Sequence, residues 1–338
     1  MEKLRHSNEE MIVASDDLVT WFGQQTGRLL VVGAGGKLGP SLLGLAADAN
    51  RRAGQPVEIV AASRFSDDRA RAEIERLGVT TVAADVTDID DVRALPDADH
   101  VVYLAGAKFG TDGNESATWA ANTFAPGLVA DRYRGSRIAA LSTGNVYPLS
   151  PVASGGPDES IAPDPVGEYA MSCLGRERMF EYAAHAFGTR VSLIRLNYAV
   201  ELRYGVLVDL AQAIVDGKTI DLSMGHVNLV WQGYVNEVIL RSLDHASAEP
   251  FRLNLAGDEV LSVRTLAHAL GESLGIEPVL AGQEADTALL SDATLCHRLF
   301  GAPRVTIDEL VAETAAWIGR GGETHGKPTK FERRDGKF

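Results

Sequence analysis

The sequence predicts an α/β protein built on a doubly wound parallel sheet with a second, smaller α/β domain, and three observations carry that expectation. Short β-branched runs alternate with amphipathic helical stretches through the first part of the chain. A glycine-rich turn joins the first run to a long helix. After residue 198 the rhythm changes, and helices become separated by longer irregular stretches and single strands. Alternation of apolar strand and amphipathic helix is the pattern of a sheet covered on both faces.

Taken in order, Asp16 to Gln25 reads as a short helix ahead of the sheet, placed to pack on a sheet edge or on a partner subunit. The strands follow at Arg28 to Val32, Val57 to Ala62, Val79 to Ala84, His100 to Leu104, Arg137 to Ser142 and Arg190 to Leu196. Past residue 198, Leu207, Leu210, Ala211, Ile214 and Val215 form one helical stripe, and Val263, Leu266, Ala267, Leu270 and Leu274 another. A third helix opens with Thr306 and Glu309 in capping-box spacing and buries Ile307, Leu310, Val311, Thr314, Trp317 and Ile318. The expected organisation is a first domain over 1–197 with a return segment at 226–255, a second domain from 198–225 and 256–320, and a tail over 321–338. The tail is glycine-rich and basic, a composition that by itself reads as flexible.

Composition narrows the partners. With 46 acidic against 32 basic residues the formal charge is -14, which repels phosphate backbones and anionic membrane surfaces, so neither nucleic acid nor a membrane is expected. Two cysteines, Cys173 and Cys296, exclude a disulfide framework, and eight scattered histidines without paired spacing indicate no metal site. The opening stretch lacks the apolar core of a signal peptide, and no run is long enough to span a bilayer, so a cytoplasmic location is expected.

The strongest motif is LLVVGAGGKLGPSLLGLA, in which Gly33, Gly36 and Gly39 lie between an apolar strand and a helix carrying Leu42, Leu43 and Ala46. Such a turn needs glycine to be tight, to let backbone approach a pyrophosphate and to pack the helix on its strand, so dinucleotide binding is expected here, with Lys37 and Leu38 in the loop. The second strand ends IVAASRF, placing Ser63 and Arg64 where a carboxylate usually holds the adenine ribose hydroxyls. A hydroxyl and a guanidinium can bind a 2′-phosphate that a carboxylate would repel, so NADP is favoured over NAD, although Arg64 pointing into solvent explains the residue equally. Asp85, followed by Val86, ends the third strand, where it either reaches the adenine amine or serves as an ordinary turn residue.

Together with four later segments, these residues resemble the extended short-chain dehydrogenase/reductase family, whose members include nucleotide-sugar epimerases and dehydratases. The resemblance covers about residues 28 to 275 and implies a Rossmann domain binding NADP or NAD. VVYLAGAKFG looks like the family's fourth-strand segment, bringing Leu104, Ala105, Gly106 and Lys108 to the cofactor, and Asn122 resembles the asparagine that opens the next helix. LSTGNVYP is similar to the family's serine/threonine element and implies a catalytic hydroxyl on Thr143. Tyr169 in GEYAMSC occupies the catalytic tyrosine position. LIRLNYAV, with Arg195 and Asn197, looks like the turn toward the substrate domain, and LNLAGDEVLSVRTLAHAL like the family's late strand, turn and helix. The positions that carry an acid pair in the dehydratases are Gly144 and Asn145, so dehydration is not expected. In the family the helices that correspond to those after Asn122 and around Tyr169 commonly form a dimer interface, so the resemblance implies a homodimer.

One departure stands out: the family's Tyr-x-x-x-Lys is Tyr169-Ala-Met-Ser-Cys173. In the family that lysine binds the nicotinamide ribose and lowers the tyrosine pKa. An unperturbed tyrosine, pKa about 10, carries its phenolate in only roughly one molecule in a thousand at pH 7, whereas its neutral phenol already donates a proton. Losing the lysine should therefore harm alcohol oxidation more than carbonyl reduction, unless Lys108 or an oxidised nicotinamide supplies the missing charge. Cys173 reads either as a small core residue or as a thiol near the nicotinamide activated by the helix start. Cys296, beside Leu295 and Leu299, reads as packing.

The expectation is an NAD(P)-dependent oxidoreductase or epimerase acting on a hydroxyl or carbonyl of a sugar, sugar acid or nucleotide sugar, with Asn145, Asn197, Arg203 and Tyr204 as substrate contacts, the last three equally explicable as loop scaffolding. Trp231 and Tyr234 are either sugar-lining or core. The rival is a dinucleotide-binding protein that has lost catalysis and acts as a sensor or binds a partner. Cys173 favours the rival; Thr143 and Tyr169 favour the enzyme.

Overall fold

The computed structural model describes residues 12–66, 68–108, 110 and 113–337. The opening stretch, read above as lacking a signal peptide, lies outside the described residues up to position 11.

Seven parallel strands form the central sheet: β1 (Gly27–Val32), β2 (Val57–Ser63), β3 (Thr80–Ala83), β4 (His100–Tyr103), β5 (Arg137–Thr143), β6 (Arg190–Leu196) and β7 (Phe251–Leu255). Their spatial order is β7-β6-β5-β4-β1-β2-β3, which reverses direction between β1 and β4 and opens a crevice at the carboxyl ends of those two strands. Val32 pairs with both Ala62 and Tyr103, so β1, β2 and β4 end level with one another. Within β1, Leu29 and Val31 enter the core on one face, while Leu30 and Val32 enter that on the other. That period of two is why a doubly covered strand reads as a continuous apolar run.

The helix α1 (Asp16–Gln24) is capped by Ser15, whose hydroxyl accepts from the Leu18 amide and donates to Glu237 at 2.6 Å. Its buried Leu18, Trp21 and Phe22 join the core formed by α2 (Gly39–Arg52) and the return helix Gln232–Arg241. It therefore covers a helix layer of its own chain, where a sheet edge or partner had been expected. The return helix also donates from Gln232 and Asn236 to the Ser41 hydroxyl at 2.8 and 2.9 Å.

A second core gathers Leu207, Leu210 and Ile214 of Val206–Val215, Val263, Leu266 and Leu270 of Val263–Leu274, and Leu310 and Ile318 of Ile307–Gly319. The Thr306–Glu309 capping box is formed. Val215, assigned above to a buried stripe, is 43% exposed because the stripe turns outward at the last residue of its helix. Trp231 belongs to this second core, and Tyr234 donates to the Gly301 carbonyl at 2.6 Å, so neither is at the site described next.

Residues 321–337, the described part of the C-terminal segment, have no helix or strand yet are tied down along their length. The His325 amide donates to the Arg203 carbonyl at 3.0 Å, and its ring nitrogen lies 3.0 Å from a Glu201 carboxylate oxygen. Thr329 donates to Asp209 through its amide at 2.8 Å and its hydroxyl at 2.5 Å. Phe331 is buried in the second core, and Arg334 donates to the Thr287 carbonyl and hydroxyl at 2.7 and 2.6 Å. Composition suggested a flexible tail; these long-range contacts overrule it.

Candidate active site

The crevice is organised by the turn between β1 and α2. Gly33 has φ 86°, and a Cβ there would fall 2.5 Å from the Ala105 amide nitrogen. A Cβ on Gly39 would strike the Ala34 carbonyl. The turn therefore exists only with glycine at these positions. Helix α2 starts without a side-chain cap and with proline in its first turn, leaving amides available to an anion. One cavity lies on each side of the turn, of about 350 and 270 Å³, and both are lined by Gly33, Gly36, Leu104, Gly106 and Ala107. Two lobes meeting over a glycine cradle fit a dinucleotide bridged by its pyrophosphate.

The smaller cavity is lined by Ser63, Arg64, Asp85, Val86 and Ala105. Arg64 is largely exposed and reaches within 4.0 Å of Asp85. The Asp85 carboxylate accepts from the Thr87 amide and hydroxyl at 2.9 and 2.7 Å, bonds that hold it below the usual carboxylate range.

The larger, inner cavity takes its wall from Lys37, Leu38 and Gly39 of the turn, Thr143 at the end of β5, Tyr169 near the start of the helix Gly167–Phe187, and residues entering the second domain. Helices α3 (Asp68–Arg76), α4 (Ile89–Ala94), α5 (Glu115–Trp119), α6 (Ala125–Arg132) and α7 (Gly167–Phe187) account for the remaining layers of the first domain. The Tyr169 hydroxyl is hydrogen-bonded with Thr143 and with the Cys173 sulfur, and burial, reinforced by that thiol, pushes it well above the ordinary phenol range. Thr143 donates to the Asn145 side chain at 3.0 Å and accepts from its amide at 3.2 Å. The Lys108 ammonium lies 6.0 Å from the centre of the Tyr169 ring, and burial lowers its pKa to about 8. Lys37 sits 3.3 Å above the Tyr204 ring; burial and then repulsion by Lys108 lower it to about 7. Asn145, Asn197 and Tyr204 share this wall, whereas Arg203 lines the adjoining outer cavity.

Two residues read as site members stand behind the wall. Cys173 is fully buried against Val146 and Tyr147 and does not line the cavity. Burial pushes its thiol up, the opposite of the shift that activates a nucleophile, and it lies well past the first turn of its helix. Asn122 is likewise fully buried; it exchanges two hydrogen bonds with the Ala107 backbone, both 2.8 Å, and donates to Ser172 at 3.0 Å. It fixes the loop after β4 without facing the cavity.

Among the wall residues that went unread, Arg176 and Thr329 bear most on the site. Arg176 follows Tyr169 by two helical turns, a spacing that puts them on one face and was the available signal. Its guanidinium donates to the Leu141 carbonyl at 2.7 Å and to Asn122 at 2.8 Å, and fills the space a Cβ on Gly106 would need. Thr329 arrives from the C-terminal segment, and no local pattern announces it. Among the described residues no group of three or more histidine, cysteine or acidic side chains is placed to hold a metal ion, and no helix is long and apolar enough to cross a membrane.

The NAD dependent epimerase/dehydratase family profile matches residues 29–201. No curated protein matches the chain in sequence. Among solved structures, a UDP-galactose 4-epimerase superposes with a TM-score of 0.69 at 21% identity. A UDP-glucuronic acid 4-epimerase from Bacillus cereus in complex with NAD gives 0.71 at 17%, and a UDP-glucose 4-epimerase from Thermus thermophilus in complex with NAD gives 0.70 at 18%. Each alignment covers 87% of this chain and 99% of the other. At these identities the likeness establishes a shared fold.

Proposed function

Because the chain belongs to the NAD dependent epimerase/dehydratase family, we propose that it is a nicotinamide-dependent oxidoreductase or epimerase, with its reacting centre at Tyr169 and Thr143, acting on a hydroxyl or carbonyl of a sugar-like substrate. The observation that carries the reading is that these two hydroxyls are hydrogen-bonded on the wall of a cavity continuous with the glycine cradle.

When bound, the nicotinamide dinucleotide supplies or takes the hydride. The protein's part is proton management. A phenol raised by burial stays protonated through the physiological range, so Tyr169 is suited to donate to a carbonyl oxygen as its carbon is reduced. The phenolate left behind is favoured by the charge of Arg176, which works against the burial that raises the phenol, and Lys108 stands 6.0 Å from the ring. Thr143 holds the reacting oxygen. Oxidation, the step an epimerase also requires, starts from the scarce phenolate and is the slower direction.

NADP is the favoured cofactor, because β2 ends in Ser63 and Arg64 where an acidic residue would oppose a 2′-phosphate, and both line the smaller cavity, with Asp85 across from Arg64 at 4.0 Å. Homodimerisation through α6 and α7 is supported by exposed Phe124, Met171, Tyr182 and Phe187 on or beside those helices.

The test is titration with NADPH and NADH followed by nicotinamide fluorescence, then addition of a panel of sugars and keto-sugars. Substrate-dependent loss of signal that disappears in Tyr169→Phe is expected. Tight binding with no turnover would identify a sensor, and absence of binding would overturn the assignment at its base.

A further inference from the structure

The inner cavity is electrostatically unlike the rest of the molecule. In a chain of formal charge -14, its wall among the described residues carries three cations, Lys37, Lys108 and Arg176, and no aspartate or glutamate. Asp209, Glu201 and Glu332 favour the charged lysines from outside that wall; Asp209 also accepts twice from Thr329, and Glu201 from Arg203. Lys37 also turns away from the glycine cradle toward Tyr204 in the second domain, so its charge is offered to the substrate side of the cavity.

The cavity is also short. Ligand cavities typically run from roughly 300 to 1,000 Å³; this one, at about 350 Å³, is at the low end and has to take the reacting end of the dinucleotide as well. Beyond it lies the outer cavity, bounded by Tyr204, Asp209 and Gln212 on one side and by Lys327, Pro328 and Phe331 on the other. The C-terminal segment runs between the two, with Thr329 in the inner wall and its neighbours in the outer wall. It is clamped there by Asp209, by the burial of Phe331 and, farther on, by Arg334.

We propose that residues 325–331 close off the inner cavity, so that the substrate is a small free acid, a carboxylate-bearing sugar or polyol held by Lys37 and Lys108, and not a sugar carried on a nucleotide. A nucleotide attached to such a sugar would have to continue along the path that Thr329 and Phe331 cross. This inference rests on the function proposed above and refines its substrate class.

Calorimetric titration of the full chain, saturated with NADP+, separates the possibilities. The probes are D-glucuronate, D-galacturonate and D-gluconate, with D-glucose and UDP-glucuronate as controls. At least one free acid should bind ten times or more tightly than D-glucose, with UDP-glucuronate weaker than that acid. Lys37→Met should lose about tenfold for the acid and little for D-glucose. Removing the whole segment would expose the second core, so the partition is tested by Thr329→Val, which should improve UDP-glucuronate binding relative to the acid. Equal or better binding of UDP-glucuronate by the unmodified chain, binding of D-glucose as tight as that of the acids, or no response to any acid would each overturn the proposal. These results leave the oxidoreductase reading intact, whereas failure of NADP(H) and NAD(H) alike to bind would remove that reading first.

Discussion

Raising the pH should strip charge from the inner cavity in a way that only an acidic substrate feels. Lys37 titrates at about 7 and Lys108 at about 8. Between pH 6 and 9, Lys37 then falls from roughly nine-tenths charged to about one-hundredth, and Lys108 from nearly full charge to roughly one-tenth. The sign follows directly: a lysine is cationic below its pKa, so attraction for a carboxylate is complete at pH 6 and fades through 7 and 8. A hydrogen bond to a charged group contributes about 1.5–3 kcal/mol, so losing one such contact lowers kcat/KM roughly 10- to 150-fold. Asp209, Glu201 and Glu332 oppose the fall by favouring the charged lysines, while Lys327 and Lys330 promote it. A bound carboxylate also holds the lysines charged, so kcat, which reports the complex, should persist to higher pH than kcat/KM, which reports the free enzyme. Tyr169, raised by burial, stays protonated across the whole interval and adds no limb of its own. The assay is steady-state reduction of a keto-acid and its neutral analogue at saturating cofactor, from pH 6 to 9. A flat kcat/KM for the acid, or a parallel fall for the neutral analogue, would refute the reasoning.

Three further outcomes are expected. Gly33→Ala forces a methyl group against the Ala105 amide at positive φ; it should cost about 1–3 kcal/mol of backbone strain in thermal unfolding and abolish dinucleotide binding. Arg195→Met leaves Glu177, fully buried and paired to that guanidinium at 2.7 Å and 3.0 Å, without its cation, so a loss of roughly 3–5 kcal/mol should appear in denaturant unfolding. Both thiols are fully buried and pushed up by burial, so the native protein should react with iodoacetamide no faster than it unfolds; fast cofactor-protected labelling of Cys173 would restore the activated-thiol reading.

What was legible in the sequence was what neighbouring residues decide together. The glycine turn could be read because strand, glycine spacing and helix are consecutive, and the strand positions because sheets covered on both faces demand unbroken apolar runs. The same locality sets the limit. Asn122 and Cys173 hold the right places in the chain for a site, yet each faces away from the cavity, and facing is settled by the packing of α7 against the loop after β4. Composition made the C-terminal segment look loose, since glycine and basic residues say nothing of a distant Asp209 or Thr287 waiting for them.

Arg176 connects the two halves of this lesson. The missing lysine one turn after Tyr169 looked like a lost function when the motif was read as a string. In three dimensions a cation stands one turn farther along the same helix, in the same cavity wall, held by Leu141 and Asn122. On the function proposed above, the site requires positive charge facing the phenol, and that requirement fixes a region of space, not a position in a motif. Several side chains can satisfy it, whereas only glycine can satisfy the backbone demands at Gly33. The cradle is therefore the part of the site a sequence must spell out, and the proton-handling charge is the part it can relocate.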